Sequence, residues 1–233
     1  MNEKRAALKA AFPATIPVLT GFIFLGTAYG ILMSSHGFGF VFTTLVSVFV
    51  FAGSMQYVAV DLLVSAFNPL NAFLLALMVN ARHLFYGISM LDKYKGMGKA
   101  KPALIFTMCD ETFSILCGAK VSDSINRKYF MLFVSLLDYF YWVLGTALGA
   151  AAGSFITFNT EGIDFALTAL FIVIFVNQWK ETKDHIPAVL GLISSAVCLA
   201  IFGADKFIIP SMILITVMLS VYRPFFNKRE AVK

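Results

Sequence analysis

The sequence predicts an all-α fold: a polytopic helical membrane protein with about eight membrane-embedded segments, some of them broken or re-entrant on one reading of the loops. Three observations carry that expectation. Hydrophobic residues fill 59% of the 233 positions and charged residues only 13%, whereas a soluble domain uses about 25% charged residues to cover its surface. The mean hydropathy of +0.83 comes from apolar runs that are continuous and not alternating, which favours helices over a β-barrel. The basic residues sit in short clusters between those runs, as cytoplasmic loops do. The net charge of +5 then follows from topology, and no long basic face is available to nucleic acid.

In order, the segments run Phe12–Ser35, Phe40–Phe67, Leu70–Leu91, Ala103–Ala119, Tyr129–Ser154, Ile163–Trp179, Ile186–Gly203 and Phe207–Tyr222, against the ~20 residues that span a bilayer. The first follows Lys4, Arg5 and Lys9 as a signal peptide would. Its run to about Met33 exceeds the usual ~7–15-residue core of such a signal, so it is expected to be retained as a span. Pro13 and Pro17 predict a kink in it. Small residues recur every fourth position at Pro13, Pro17 and Gly21, at Gly26 and Gly30, and at Gly145, Gly149 and Gly153. Such faces let helices approach closely. No soluble insertion or low-complexity linker interrupts the series, so residues 1–233 read as a single transmembrane domain. Cys109, Cys117 and Cys198 lie inside apolar runs without a CxxC pair, which implies neither a disulfide framework nor a zinc site.

The loops set orientation. Basic tails at both ends (Lys4, Arg5 and Lys9; Arg223, Lys228, Arg229 and Lys233) place both termini in the cytoplasm, and the acidic loop Asn159–Asp164 outside. The loops Lys93–Lys101 and Lys120–Lys128 are both basic, yet they flank one segment, Ala103–Ala119. Either all eight segments cross and one basic loop breaks the rule, or Ala103–Ala119 dips in and returns to the same side. On the second reading Phe40–Phe67 does the same from outside, broken at Ala52-Gly53-Ser54, and six segments cross.

Ionisable groups inside apolar segments are costly, about 2.5–3.5 kcal/mol each on the insertion scale, and mark candidate sites. The richest stretch holds Asn80, Arg82, His83, Tyr86 and Gly87. Asn80 lies roughly 15 Å along a helix from Pro69, near mid-membrane. Asn80 and His83 share a helical face, whereas Arg82 points elsewhere. A second stretch places Thr107, Asp110, Glu111 and Ser114 on one helical stripe. Adjacent carboxylates among Leu, Ile and Phe cannot both stay charged cheaply, which suits a proton relay or a cation site; an ion pair with Arg82 is the structural alternative. Gln56 follows the Gly53-Ser54 break, where freed backbone amides could meet a ligand. Asp138 and Asn177-Gln178 are weaker signals, Asp138 being expected to pair with a base.

The stretches Pro13-x3-Pro17-x3-Gly21, Phe51-Ala52-Gly53-Ser54-Met55-Gln56, Asn80-Ala81-Arg82-His83-Leu84-Phe85-Tyr86-Gly87 and Asp110-Glu111-Thr112-Phe113 resemble the large permease subunit of the AzlC-type (azaleucine-resistance) branched-chain amino-acid exporters. The resemblance implies a multi-pass protein of the bacterial inner membrane that exports Leu, Ile, Val and in some cases Met, together with a small AzlD-type membrane subunit. It implies a transporter and not an enzyme, with no cofactor. On that reading Gly53, Ser54, Gln56, Asn80, Arg82 and His83 are the candidate substrate-binding residues. Asp110 and Glu111 would meet the substrate ammonium or couple a proton gradient to secondary active export. Two other readings stay open: an intramembrane metal-dependent enzyme built on His83, Asp110 and Glu111, and a non-transporting assembly subunit.

Overall fold

Two long helices, α1 (Glu3–Ser35) and α8 (Arg127–Phe155), form the scaffold. In the computed structural model the residues described are 3–65, 68–119, 121–122, 125–155, 184–204 and 207–230, with isolated positions at 165, 172, 175–176 and 179–180. All regular elements among them are helical. They divide into two units, Met1–Leu170 and Phe171–Lys233. The predicted loop Asn159–Asp164 lies outside the described residues, as do Asn177-Gln178 and nearly all of the segment Ile163–Trp179.

Helices α1 and α8 run parallel. Asn126 Nδ2 donates to Glu3 Oε2 at 3.0 Å, Thr15 Oγ1 lies 3.2 Å from Tyr141 OH, Thr27 Oγ1 donates to the Gly145 carbonyl at 3.3 Å, and Ser34 Oγ donates to the Ala150 carbonyl at 3.3 Å. The partners rise together along both chains. The predicted small-residue faces explain the closeness. A Cβ added at Gly26 would come within 2.9 Å of Thr146 N, and one at Gly145 within 2.7 Å of Phe22 O. At Gly30 and Gly149 it would collide with the backbones at Ala150 and Thr27. Gly21 is not part of this seam. Helix α1 runs on through Pro13 and Pro17 as one element. Thr20 Oγ1 donates to the Pro17 carbonyl at 2.9 Å, one way in which hydroxyls satisfy backbone groups near proline.

The second segment is broken, as its glycine suggested, but slightly earlier: α2 (Phe40–Phe49) ends before a non-helical Val50–Ala52, and α3 (Gly53–Val64) follows. The chain doubles back. From Met33, whose carbonyl accepts from Phe38 N, α2 descends until Phe51 packs on Phe22 and Tyr139, at ring distances of 6.5 and 5.2 Å. Next α3 climbs again, with Tyr57 OH donating to the Leu25 carbonyl at 2.8 Å and its ring tilted against that of Tyr29 at 5.5 Å.

The third segment, read as one span, is two helices, α4 (Pro69–Asn80) and α5 (Arg82–Met90), bent by 46°. The fourth is likewise two pieces, α6 (Lys101–Phe106) and α7 (Asp110–Gly118). The predicted stripe from Thr107 to Ser114 therefore does not lie on one continuous helix. Cys109 is extended, and Asp110 and Glu111 open a new helix, where carboxylates are favoured by the unpaired amides and the dipole. This segment also doubles back. Phe106 reaches the Tyr139 ring at 5.9 Å. On the return, Lys93 Nζ donates to the Leu116 carbonyl at 3.0 Å, so the end of α7 meets the loop after α5. Met90, Tyr94, Leu104 and Leu116 share a buried cluster with Ala7 and Phe130 from the starts of α1 and α8. Both basic loops thus lie at the same end of the scaffold, the end where the N-terminus lies.

By length and apolarity α1 and α8 can cross a membrane alone, and α4–α5 can if the bent pair is one span. In the second unit α9 (Ile186–Phe202) packs on α10 (Ile208–Glu230). Ile186 N donates to Asp184 Oδ1 at 3.1 Å, closing the start of α9.

Gly149→Val is expected to lower the thermal stability of the solubilised protein by about 1–3 kcal/mol or more through overpacking. Gly21→Ala, where an added Cβ meets nothing within 4 Å, leaves stability unchanged. Thermal unfolding of the two variants side by side checks the seam, and equal responses would remove it.

Candidate functional site

Three helix breaks meet at one place. The α2–α3 hairpin turns at Val50–Ala52, the α4–α5 span bends at Ala81, and the α6–α7 hairpin turns at Thr107–Cys109. Arg82, first residue of α5, joins them: its Nε lies 2.9 Å from Asp110 Oδ1, and its Nη2 donates to Ser54 Oγ at 2.6 Å. Tyr86, one turn along α5, donates its hydroxyl to the same Asp110 oxygen and stacks on Phe113 at 4.4 Å between ring centroids. The ion pair between Arg82 and Asp110, an alternative that the residue types allowed, is present. It is only partly covered, the two side chains being 30% and 21% exposed. Two short helices, α3 and α7, begin at this point, so the positive ends of their dipoles lie beside the guanidinium. Neither start is closed by a side-chain cap.

Of the residues singled out in the sequence, Ser54, Arg82 and Asp110 are in direct contact, and Glu111 lies within electrostatic reach of both Arg82 and Asp110. Gly53 packs on the scaffold instead, where an added Cβ would come within 2.9 Å of the Trp142 ring. Gln56 is 1% exposed. Its Oε1 accepts from Trp142 Nε1 at 2.6 Å, and its Nε2 donates to Ser47 Oγ at 3.1 Å, which in turn donates to Thr146 Oγ1 at 2.9 Å. This chain fastens the α2–α3 hairpin to α8. Asn80 turns back on its own helix and donates to the Ala76 carbonyl at 3.0 Å. His83 Nδ1 lies 3.2 Å from the Asn80 carbonyl. Nor does His83 join the carboxylates as a ligand set: among the described residues no three His, Cys, Asp or Glu side chains are grouped to hold a metal ion.

Sequence reading undervalued three residues. Tyr86 stood in a quoted stretch but its contact with Asp110 depends on a fold that brings α5 to α7. Tyr139 touches the tips of both hairpins through Phe51 and Phe106, and donates to the Val48 carbonyl at 2.9 Å. Asp138, which could have paired with a base on another helix, accepts instead from the Thr112 hydroxyl at 2.7 Å, and among the described residues no base pairs with it. The reason is position: it faces the start of α7, which carries Thr112 and no cation.

Comparison with known proteins supplies a family. The family model described as AzlC protein matches residues 17–156, which include every residue of the Arg82 centre. The chain is 54% identical over 233 residues to the branched-chain amino acid transport protein AzlC of Bacillus subtilis, covering 99% of this chain and 92% of that one. It is 44% identical over 221 residues to a membrane protein of Haemophilus influenzae, covering 94% and 91%. To the inner membrane protein YgaZ of Escherichia coli it is 25% identical over 209 residues, covering 86% and 82%. No solved structure matches.

Gln56→Leu leaves the Trp142 indole N–H buried without its acceptor, and is expected to cost about 1–3 kcal/mol. Adding Trp142→Phe removes the stranded donor, so the double variant should lose less than the two single losses summed. Thermal unfolding of the four proteins measures the coupling, and strict additivity would show that the pair does not fasten the hairpin.

Proposed function

The chain belongs to the AzlC protein family, and from that premise we propose that it is the large permease subunit of a branched-chain amino-acid exporter. It acts as a secondary active transporter of Leu, Ile and Val in the bacterial inner membrane, with a small AzlD-type membrane subunit as its partner. The observation that carries the reading is the convergence of three helix breaks on Arg82 and Asp110. Interrupted helices near mid-membrane are tolerated where they line a cavity or bind a solute.

A zwitterionic amino acid with an apolar tail asks for three things. Its carboxylate competes with Asp110 for the Arg82 guanidinium, helped by Ser54 and by the amides that open α3 and α7. Its ammonium is met by Glu111, or by Asp110 once that carboxylate is displaced from Arg82. Its aliphatic side chain lies against the stacked Tyr86 and Phe113 rings. Binding thus replaces one ion pair by another, and the hairpin tips move with the groups they carry. Gln56, Asn80 and His83 hold the breaks in shape around this centre.

The same geometry supports six crossings. Six residues in α6 and nine in α7 reach about 9 and 14 Å at 1.5 Å per residue, each short of a bilayer core of about 30 Å. With both hairpins re-entrant, the loops Lys93–Lys101 and Lys120–Lys128 share the cytoplasmic side with both termini, and every basic loop obeys the positive-inside tendency.

Reconstituted with the small subunit, the protein is expected to show counterflow of labelled leucine. Arg82→Gln, which keeps a polar hydrogen-bonding side chain but removes the charge, should reduce that counterflow at least tenfold; wild-type counterflow in Arg82→Gln would reject the centre. Topology has its own check. In a variant lacking the three native cysteines, Gly96→Cys should react with a membrane-impermeant thiol reagent only from the cytoplasmic side. Labelling from the periplasm would restore the eight-crossing arrangement.

A further inference from the structure

Facing the side of α7 turned away from the Arg82 centre, on α8, is a carboxyl group that the transport reading leaves unused. Asp138 lies near the middle of α8 and is 0% exposed. Its Oδ2 accepts from Thr112 Oγ1 at 2.7 Å, while Oδ1 is buried without a hydrogen-bond partner. One turn earlier on the same helix face, Ser135 is also 0% exposed, and its Oγ is buried without a partner. Among the described residues no cationic side chain pairs with Asp138. We propose that Asp138 carries an exchangeable proton on Oδ1, and that with Thr112 and Ser135 it forms the proton site of this transporter. The inference rests on the transport reading for its use, though not for its geometry.

The argument is one of partners. A buried carboxylate held by a single neutral hydroxyl, with no cation and no water access, bears nearly the whole desolvation cost of its charge. The acid form bears only the cost of one weak donor, because Oδ2 already accepts from Thr112. The proton on Oδ1 can turn toward Ser135 Oγ, three residues back along α8, which lacks a donor of its own. Charged and titratable neighbours are few. From α7, Glu111 acts on Asp138 through its charge, and Cys109 lies beside both. The residues that α1, α2 and α6 bring to this level, Thr15, Phe22, Val48, Phe51 and Phe106, are uncharged.

Glu111 therefore stands between the two centres. Any negative charge on Glu111 opposes loss of the Asp138 proton. When a substrate ammonium neutralises Glu111, the O–H bond at Oδ1 can break and the proton leaves to the aqueous side then open. Return of a proton from the other side re-forms that bond after the substrate has left. Substrate and proton then alternate, which is the requirement for exchange of one against the other.

Infrared difference spectroscopy on the purified complex in lipid vesicles tests this without relying on transport. A protonated carboxyl C=O band is expected in the wild type. It should vanish in Asp138→Asn, persist in Asp110→Asn, and shift upward in frequency in Thr112→Val, which removes the hydrogen bond to the carboxyl oxygen. Adding leucine should weaken the band in the wild type, with proton release to the medium seen by a pH dye. A wild-type spectrum whose protonated-carboxyl region is unchanged by Asp138→Asn would overturn the proposal, and so would a band indifferent to leucine in a protein that performs leucine counterflow. Should counterflow itself be missing from the wild type, the transport reading fails while the band still decides the protonation of Asp138. Thr112→Val, which keeps the carboxyl, decides the matter if Asp138→Asn does not fold.

Discussion

Backbone-to-backbone contact between α1 and α8 is the constraint on which the rest depends. Without a hydrophobic drive between helices in lipid, close van der Waals packing must hold them together, and only glycine permits the approach seen at Gly30 and Gly149. The seam fixes the two long helices in parallel and in register. That register brings Trp142 and Tyr139 to the height of Phe22, and these large rings become the floor on which both hairpins end. Each hairpin is too short to stand alone. The first is tied by the chain Trp142–Gln56–Ser47–Thr146, and the second by Thr112 to Asp138 and by Lys93 to the Leu116 carbonyl.

Broken helices carry a penalty in lipid, because the freed backbone groups have no water to turn to. Here the breaks are gathered so that their polar ends serve one another. Ser54 lies in the first turn of α3, Arg82 opens α5 and Asp110 opens α7, and all three are joined through the guanidinium. A charged side chain at this depth is tolerable only in company of that kind. The same gathering leaves a partly exposed ion pair beside two helix starts.

Much of this was legible in the residues. Hydropathy marked the segments, and α8 starts and ends within two residues of its expected bounds. The every-fourth-residue glycines foretold the seam, and the two basic loops flanking Ala103–Ala119 left a crossing and a return to the same side both open. The bend at Ala81 was not legible, because nothing in Met78-Val79-Asn80-Ala81-Arg82 is a proline or glycine; it arises where Arg82 is drawn to partners on other helices. The stripe from Thr107 to Ser114 misled for the opposite reason. Its spacing fits a helix, but carboxylates also favour a helix start, and that preference won at Asp110. Asp138 looked like half of an ion pair, since one sequence shows a charge without showing which helix will face it.

The two aspartates show how partners, not residue type, divide the labour. Asp110 is met by a guanidinium and a phenol and is partly exposed; Asp138 is met by one hydroxyl and is sealed. Both contacts run through α7, and they leave it on different faces, two residues apart and thus about 200° around the helix. Its far end is held at the Leu116 carbonyl by Lys93. A nine-residue helix anchored at its end has little freedom except to tilt or turn at its start. Any movement there that loosens Asp110 from Arg82 must also change the hydrogen bond from Thr112 to Asp138. The Arg82 centre and the long helix α8 are therefore linked through the first turn of α7.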